Sequence, residues 1–334
     1  MSELKQTRGY AQLRGVIGNL DKIKKDLLEG KSNKNLIDTE TIKKLSFSVK
    51  TSKDNVIFVE IKQFKTGNAM QFAYVSKRDE ETGKYQTNKI NFSDRHRQLN
   101  DGWRLIGVSL KGKDDDVVKN LVPYDAIDYI LENFEDGDGV FVNAEIAHSD
   151  NGDRQYTNYE VKKMFVTRDE KGQYKPIDFD AEDFEEQAEF SDELIYDSSY
   201  PSERGLEITA KYVNYDKTLH DVSLVVKNNT DCDEISEYVE QNFKRGDLVT
   251  FDGIINNRVE YEEVVIDEEV EAEPQSNVLG KKTKSMQRST RKNTQRQIKS
   301  EDRSLQITAL DLDKIKQGFY SDTDLDGDNS DLPF

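Results

Sequence analysis

Cysteine occurs once, at Cys232, and histidine three times, at His96, His148 and His220. One cysteine excludes an internal disulfide and any Cys-based zinc pattern and fits a reducing compartment. The three histidines stand in dissimilar contexts and supply no H-E-x-x-H spacing. Tryptophan is also single, at Trp103. No apolar run approaches the roughly 18 residues of a membrane span. The opening MSELKQTRGY has no apolar stretch of the secretory kind. The phosphate-loop look-alike at Gly280 fails twice, with Gln275 in place of the first glycine and Lys282 in place of the magnesium-holding hydroxyl. Asp322, Asp324, Asp326 and Gly327 imitate the start of a calcium loop, but its twelfth position is Pro333. The expectation is a cytoplasmic, non-enzymatic protein with no cofactor, no metal and no membrane partner.

What is abundant is charge. Of 334 residues, 34% are charged and 34% hydrophobic, with a net charge of -18. That balance suits modest domains joined by disordered connectors rather than one large globule. The acids are segregated. Asp178–Asp197 carries ten acids and no base, Glu262–Glu273 seven acids, and Ser321–Phe334 five. Lys281–Lys299 carries eight bases and no acid. Outside the acidic runs the chain is mildly basic, so acidic connectors are expected between basic modules.

An internal echo organises the rest. DYILENFEDGDGVFVNAEI from Asp128 and EYVEQNFKRGDLVTFDGII from Glu237 share Tyr, Asn, Phe, Gly, Asp, Val and Ile at a constant offset. Each reads as an amphipathic helix, a Gly-Asp turn and a strand. A weaker echo links RGYAQLRGVIGNLDK from Arg8 to RGLEITAKYVNYDK from Arg204. Strands at about 8–19, 43–51 and 55–64, a helix at 121–134, and strands at 138–147 and 156–168 follow the order of an OB-fold barrel. The second copy offers strands at 205–215, 220–227 and 247–256 and a helix at 232–243, with Arg303–Asp313 available as a further strand. The predicted class is mainly β with short helices: two OB-fold-like modules joined by acidic disordered linkers. The predicted boundaries are a first module over 1–170 with an insertion at 65–120, an acidic linker over 171–203, and a second module over 204–266. A flexible acidic-then-basic segment over 267–302 and a disordered acidic tail over 314–334 complete the division. A small α+β domain of another topology is the alternative for the second module.

Single strands are bound by aromatic faces that stack bases and by cations that track phosphates. Such groups should recur at period two on a strand's outer face. In NVIFVEIKQF, Phe58, Lys62 and Phe64 share the face opposite Ile57, Val59 and Ile61. Tyr10 and Arg14 lie opposite Ala11 and Leu13, and Phe141 lies opposite Val140 and Val142. Tyr156, Tyr159 and Lys163 are candidates on the last strand of the first module, and Trp103 and Arg104 in its insertion. Lys211, Tyr212, Lys227 and Arg258 form a thinner set in the second. Phe179, Phe184, Phe190 and Tyr196 are many aromatics for a pure spacer and are candidates to dock on a neighbouring surface. Lys281–Lys299 is a candidate phosphate clamp without sequence preference.

The ending DTDLDGDNSDLPF resembles the acidic C-terminal tip of bacterial single-stranded-DNA-binding proteins, with Asp331, Leu332, Pro333 and Phe334 in the matching positions. Gly327 and Asn329 interrupt the aspartates, a departure that lowers the charge density. LVPYDAIDYILENFEDGDGVFV, the upstream NFSDR, the GKK stretch and the R-x-L-x-I-T strand are similar to longer single-stranded-DNA-binding proteins of phages of Gram-positive hosts. The resemblance implies a protein that coats and protects single-stranded DNA during replication or recombination. It also implies recruitment of partners (polymerase, primase or helicase, recombinase) through the tail, in a phage host's cytoplasm. The alternatives are an OB-like adaptor that never touches DNA, which requires Phe58, Lys62, Phe64 and Phe141 to be buried against the insertion, and an RNA-binding protein.

Overall fold

The computed structural model describes residues 4–97, 99, 102–151, 154–228, 233–270 and 289–326. In chain order its elements are β1 (Gly9–Gly18), α1 (Leu20–Leu28), β2 (Leu36–Asp38), β3 (Ile42–Lys50) and β4 (Val56–Phe64). Then come β5 (Phe72–Arg78), β6 (Tyr85–Asn91), β7 (Arg104–Leu105), β8 (Val108–Lys111), β9 (Lys119–Leu121) and α2 (Pro123–Asn133). They are followed by β10 (Gly139–Asn151), β11 (Arg154–Val166), β12 (Gln187–Ser202), β13 (Gly205–Val213) and β14 (Leu219–Lys227). The last are α3 (Asp233–Asn242), β15 (Leu248–Val270), β16 (Ser289–Leu310) and α4 (Asp322–Leu325). The protein is mainly β, with a large mixed sheet and few short helices. Among the described residues no helix is long and apolar enough to cross a membrane.

Thirteen strands form one sheet whose pairings close twice. In the first circuit β1 pairs with β3, β3 with β4, β4 runs parallel to β11, β11 pairs with β10, and β10 returns to β1. The second runs β12–β13–β14, crosses in parallel to β16, and returns through β15 to β12. The two are joined where β1 lies antiparallel to β12, from Gly9 opposite Asp192 to Arg14 opposite Gln187. Gly15 sits where β1 leaves β12 and turns onto β3; a Cβ there would lie 2.3 Å from the Lys50 carbonyl oxygen, so the closure needs glycine. One cluster of buried apolar side chains runs through both circuits.

The echo is structural as well as sequential. Asn133 and Asn242 each donate from the side-chain amide to the carbonyl four residues back, at 2.9 Å in both. Gly137 and Gly246 take φ of 94° and 93°, the left-handed region that favours glycine. The buried Asp138 and Asp247 carboxylates accept the backbone N–H of Glu135 and Lys244. Ile17 of β1 exchanges backbone hydrogen bonds with the first turn, and Tyr196 of β12 does the same with the second. β12 is therefore the counterpart of β1, and the weaker echo between Arg8 and Arg204 joins strands of different position.

This corrects the expected connectors. The acidic linker of 171–203 contains β12, a strand paired on both sides, because its acids and apolar residues alternate: Ala188, Phe190, Leu194 and Tyr196 are buried and Glu189 exposed. Phe179 and Phe184 pack edge to face at 5.3 Å, with the Lys50 ammonium over the Phe179 ring. Nor is 267–302 all connector. β15 and β16 pair antiparallel out to Val270 opposite Ser289, and the register sets Glu263 against Arg296, Asp267 against Lys292 and Glu268 against Arg291. Residues 271–288, including part of the expected phosphate clamp, lie outside the described residues. The expected tail of 314–334 is docked as far as Asp326. Tyr320 and Leu325 are buried, and Arg245 ties Asp326 and Asp322 to Asp197 of β12.

The insertion forms a second sheet, β6–β5–β7. Its inner face carries the buried Ala73 and Val75, and Ala73 clusters with Phe92, Val122 and Tyr124. Arg95 anchors it by a two-pronged bond to Asp125 of α2 at 2.7 and 3.0 Å.

Candidate nucleic-acid interface

On β4 the apolar Ile57, Val59 and Ile61 are buried, so the alternate positions face outward. Phe58 and Phe64 stand 53% and 55% exposed. Glu60 shares their face but is covered by two lysines: Lys44 reaches it at 2.5 Å and Lys62 at 2.9 Å, with Glu160 3.7 Å from Lys62. Burial raises the Glu60 pKa, but the hydrogen bonds and charges of Lys44 and Lys62 outweigh it and hold the carboxyl below its ordinary value. Lys62 is therefore partnered internally, which its position two residues after Glu60 foreshadowed.

Phe58 and Tyr156 line one cleft of about 550 Å³ between the two circuits. Tyr156 is 45% exposed, and Gln155 adjoins it from the same strand. The second circuit contributes Asn256, Asn257 and Arg303. The guanidinium of Arg303 pairs with Glu301 but is mostly in water, where such a pair is weak. Aromatic faces, amides and a cation thus share one concavity, with walls from both halves.

The walls are held in register by buried polar contacts. At the base, His148 Nε2 lies 2.6 Å from Asp192 Oδ2, and its Nδ1 lies 3.1 Å from the Thr157 hydroxyl. The Tyr212 ring meets the imidazole edge to face at 5.3 Å. At the side, Asn55 donates to Glu186 at 2.8 Å and to the Ile255 carbonyl at 2.9 Å, and accepts the Asn257 N–H. Arg258 spans Asp54 at 2.8 Å and Glu186 at 2.5 Å. The β3–β4 turn is thus a brace between the circuits.

The predicted site residues divide accordingly. Phe58 and Tyr156 come together in the cleft, with Lys62 and Phe64 further along β4. Arg14 and Phe141 are cross-strand partners, Phe141 faces Phe165, and the exposed Lys163 pairs with Asn143 beside them. Tyr10 is exposed on the same β1 face. Arg104 is exposed and Trp103 half-buried at the small sheet. Tyr159 and Tyr212 are corrections: both are buried and offer no ring to a base. Burial, with the Asp192 charge added, pushes both phenols above their ordinary pKa. Arg258 is the brace, while Lys211 and Lys227 pair with Asp221 and Asp302 at 2.8 and 2.6 Å. The tail residues Asp331, Leu332, Pro333 and Phe334 lie outside the described residues. Among the described residues no three His, Cys, Asp or Glu side chains converge as a metal site. Sequence reasoning missed Asn256 and Asn257, whose "NN" follows the echoed strand without any aromatic or basic signal.

No curated protein shows significant similarity to the chain. A family match runs from β8 to just beyond α4, residues 108–329. It covers more than half of the sequence, and the chain belongs to the YorF family.

Proposed function

We propose that each circuit is an OB-type barrel and that together they bind single-stranded DNA in the cleft between them. The strand order supports this: a three-strand meander, a helix, then a hairpin whose last strand runs parallel to the third, in both copies. The observation that carries the reading is the placement of exposed Phe58 and Tyr156 in one cleft with Arg303 and amide side chains. Stacking is tolerant of sequence because every base has a π-face. The protein would coat and protect unpaired DNA during replication or recombination, as a binding protein and not an enzyme. The acidic tail would recruit partner proteins of the replication or recombination machinery by offering Phe334 to an apolar pocket. Exposure of Phe58 and Phe64 weighs against an adaptor in which the insertion covers them.

The test is fluorescence anisotropy with labelled oligothymidine, oligouridine and duplex. The single strand should bind and the duplex should not. Phe58→Ala with Tyr156→Ala should weaken binding about tenfold per ring. Absence of single-strand binding at low salt would leave the adaptor as the better account. Preference for oligouridine would make the substrate RNA.

A further inference from the structure

The small sheet has an outer face that the cleft does not use. Phe72, Tyr74, Ser76 and Arg78 alternate with the buried Ala73 and Val75 on β5, so they point away from the body. Register places Lys89 opposite Tyr74, Thr87 and Arg104 beside Ser76, and Tyr85 opposite Arg78. Each tyrosine row thus carries a cation. Tyr74 is 53% and Tyr85 71% exposed. The Lys89 ammonium lies 4.6 Å over the Phe72 ring. Among the described residues, Lys77, Arg78, Lys89 and Arg104 make no ion pair, unlike Lys62, Lys211, Lys227 and Arg258. Beside this face is a hollow of about 990 Å³ lined by Lys77, Arg78, Tyr85 and Arg104, with Glu80 the one acid among its described lining residues.

We propose that this face is a second single-strand site, at which Tyr74 and Tyr85 stack bases while Arg78, Lys89 and Arg104 meet phosphates. The inference rests on the reading of the protein as a single-strand binder. Charge chooses the occupant, since in a chain of net charge -18 a face bearing unpaired cations and aromatics complements a polyanion with π-faces. Geometry sets the mode. The two tyrosine rows are four residues apart on β5, about 13 Å. That is too far for consecutive stacked bases, so the rings take separated bases and the central Arg104 row lies under the sugar–phosphate between them. The packed inner face and the Arg95–Asp125 anchor hold the sheet in place without the ligand.

The experiment uses the full chain and oligothymidines of about 10 and about 40 nucleotides, the shorter within the footprint of one OB-type module. Arg78→Ala/Lys89→Ala/Arg104→Ala should lower the salt slope for the longer strand by about 2, at about 0.7 for each phosphate no longer neutralised. Tyr74→Ala/Tyr85→Ala should weaken the longer strand about tenfold per ring and leave the 10-mer on the Phe58–Tyr156 cleft nearly unchanged. Ultraviolet crosslinking of the unaltered protein to the 40-mer should mark Tyr74 or Tyr85. Both variants change exposed side chains, and an unchanged melting temperature checks the fold. If slope, affinity and crosslinks ignore this face while Phe58→Ala/Tyr156→Ala weakens binding, the second site is wrong and the first reading stands. If the unaltered protein binds no single strand, both fall. If the triple variant loses affinity for an acidic peptide and not for the 40-mer, the face docks protein and the proposal is overturned. Matching effects on oligouridine would extend the site to RNA.

Discussion

Replacing His148 with alanine removes the partner of a carboxylate that is entirely buried. Asp192 is 0% and His148 3% exposed, and the pair is 2.6 Å apart at the seam where β1 meets β12. Among the described residues Asp192 Oδ1 has no hydrogen-bond partner, so His148→Ala leaves neither oxygen with one. An uncompensated buried charge of this kind costs about 3–5 kcal/mol. With a urea m-value of about 3 kcal/mol/M, the midpoint should fall by about 1–1.7 M. Asp192→Asn keeps the shape without the charge and should cost about 1–3 kcal/mol. The decisive measurement is the double variant. His148→Ala/Asp192→Asn should be more stable than His148→Ala alone, because the second change discharges the stranded carboxylate. His148 also lines the cleft, so oligothymidine affinity should fall with stability in the single variant and partly recover in the double. A cost below about 1 kcal/mol for His148→Ala, or no recovery in the double variant, would refute the reasoning that this pair secures the seam.

Two further outcomes follow from local geometry. Gly137→Ala and Gly246→Ala impose the same left-handed strain, about 1–2 kcal/mol. Only the second also places a Cβ 2.0 Å from a backbone oxygen, that of Tyr320, so Gly246→Ala should lower the melting temperature clearly more; equal losses would mean that the C-terminal segment is not held against the turn. Glu60 has a folded pKa below its ordinary value, so the stability it contributes is present above the ordinary carboxylate range and is lost as pH falls through the depressed value. Glu60→Gln should therefore flatten the acid limb of a stability–pH curve. It also frees Lys44, while Lys62 keeps Glu160 at 3.7 Å, and should steepen the oligonucleotide salt slope by about 0.7 for the one phosphate newly met; an unaltered slope would place that face outside the binding path.

Strands with one buried face and a clean period of two were legible in the sequence, as β1 and β4 demonstrate. So were the duplicated helix–turn–strand units, because Asn, Gly and Asp there perform backbone tasks that few other residues perform. β12 was hidden by its acid content: Glu189 and Glu193 occupy outward positions of an ordinary alternation, and Asp192 faces inward only because His148 meets it across the seam. Distant partners of that sort leave no local trace. The Tyr159 error has another cause. Asn143 opposes Lys163 while Ala144 opposes Val161, so Lys162 is an extra residue. The bulge inverts the strand's parity, turning Tyr159 inward while Lys163 stays exposed. The ion pairs that occupy Lys227 and Arg258 likewise join segments far apart in sequence, whereas Lys211 meets Asp221 across the neighbouring strands β13 and β14. The small sheet's cationic face was half visible through Arg104 alone, since its other members gain meaning only from the pairing of β5 with β6 and β7.

The seam between β1 and β12 has a consequence for how the chain is made. As synthesis proceeds, β1 can be completed on one side by β10, but the edge from Gly9 to Arg14 stays open until β12 is synthesised. An open edge is a template for any passing strand. A fragment ending before Gln187 would expose that edge permanently, and a fragment beginning after Ser202 would lack the strand that closes the second circuit on both sides. The halves are duplicates in plan yet poor candidates for separate life: each needs the other's first strand to silence its own.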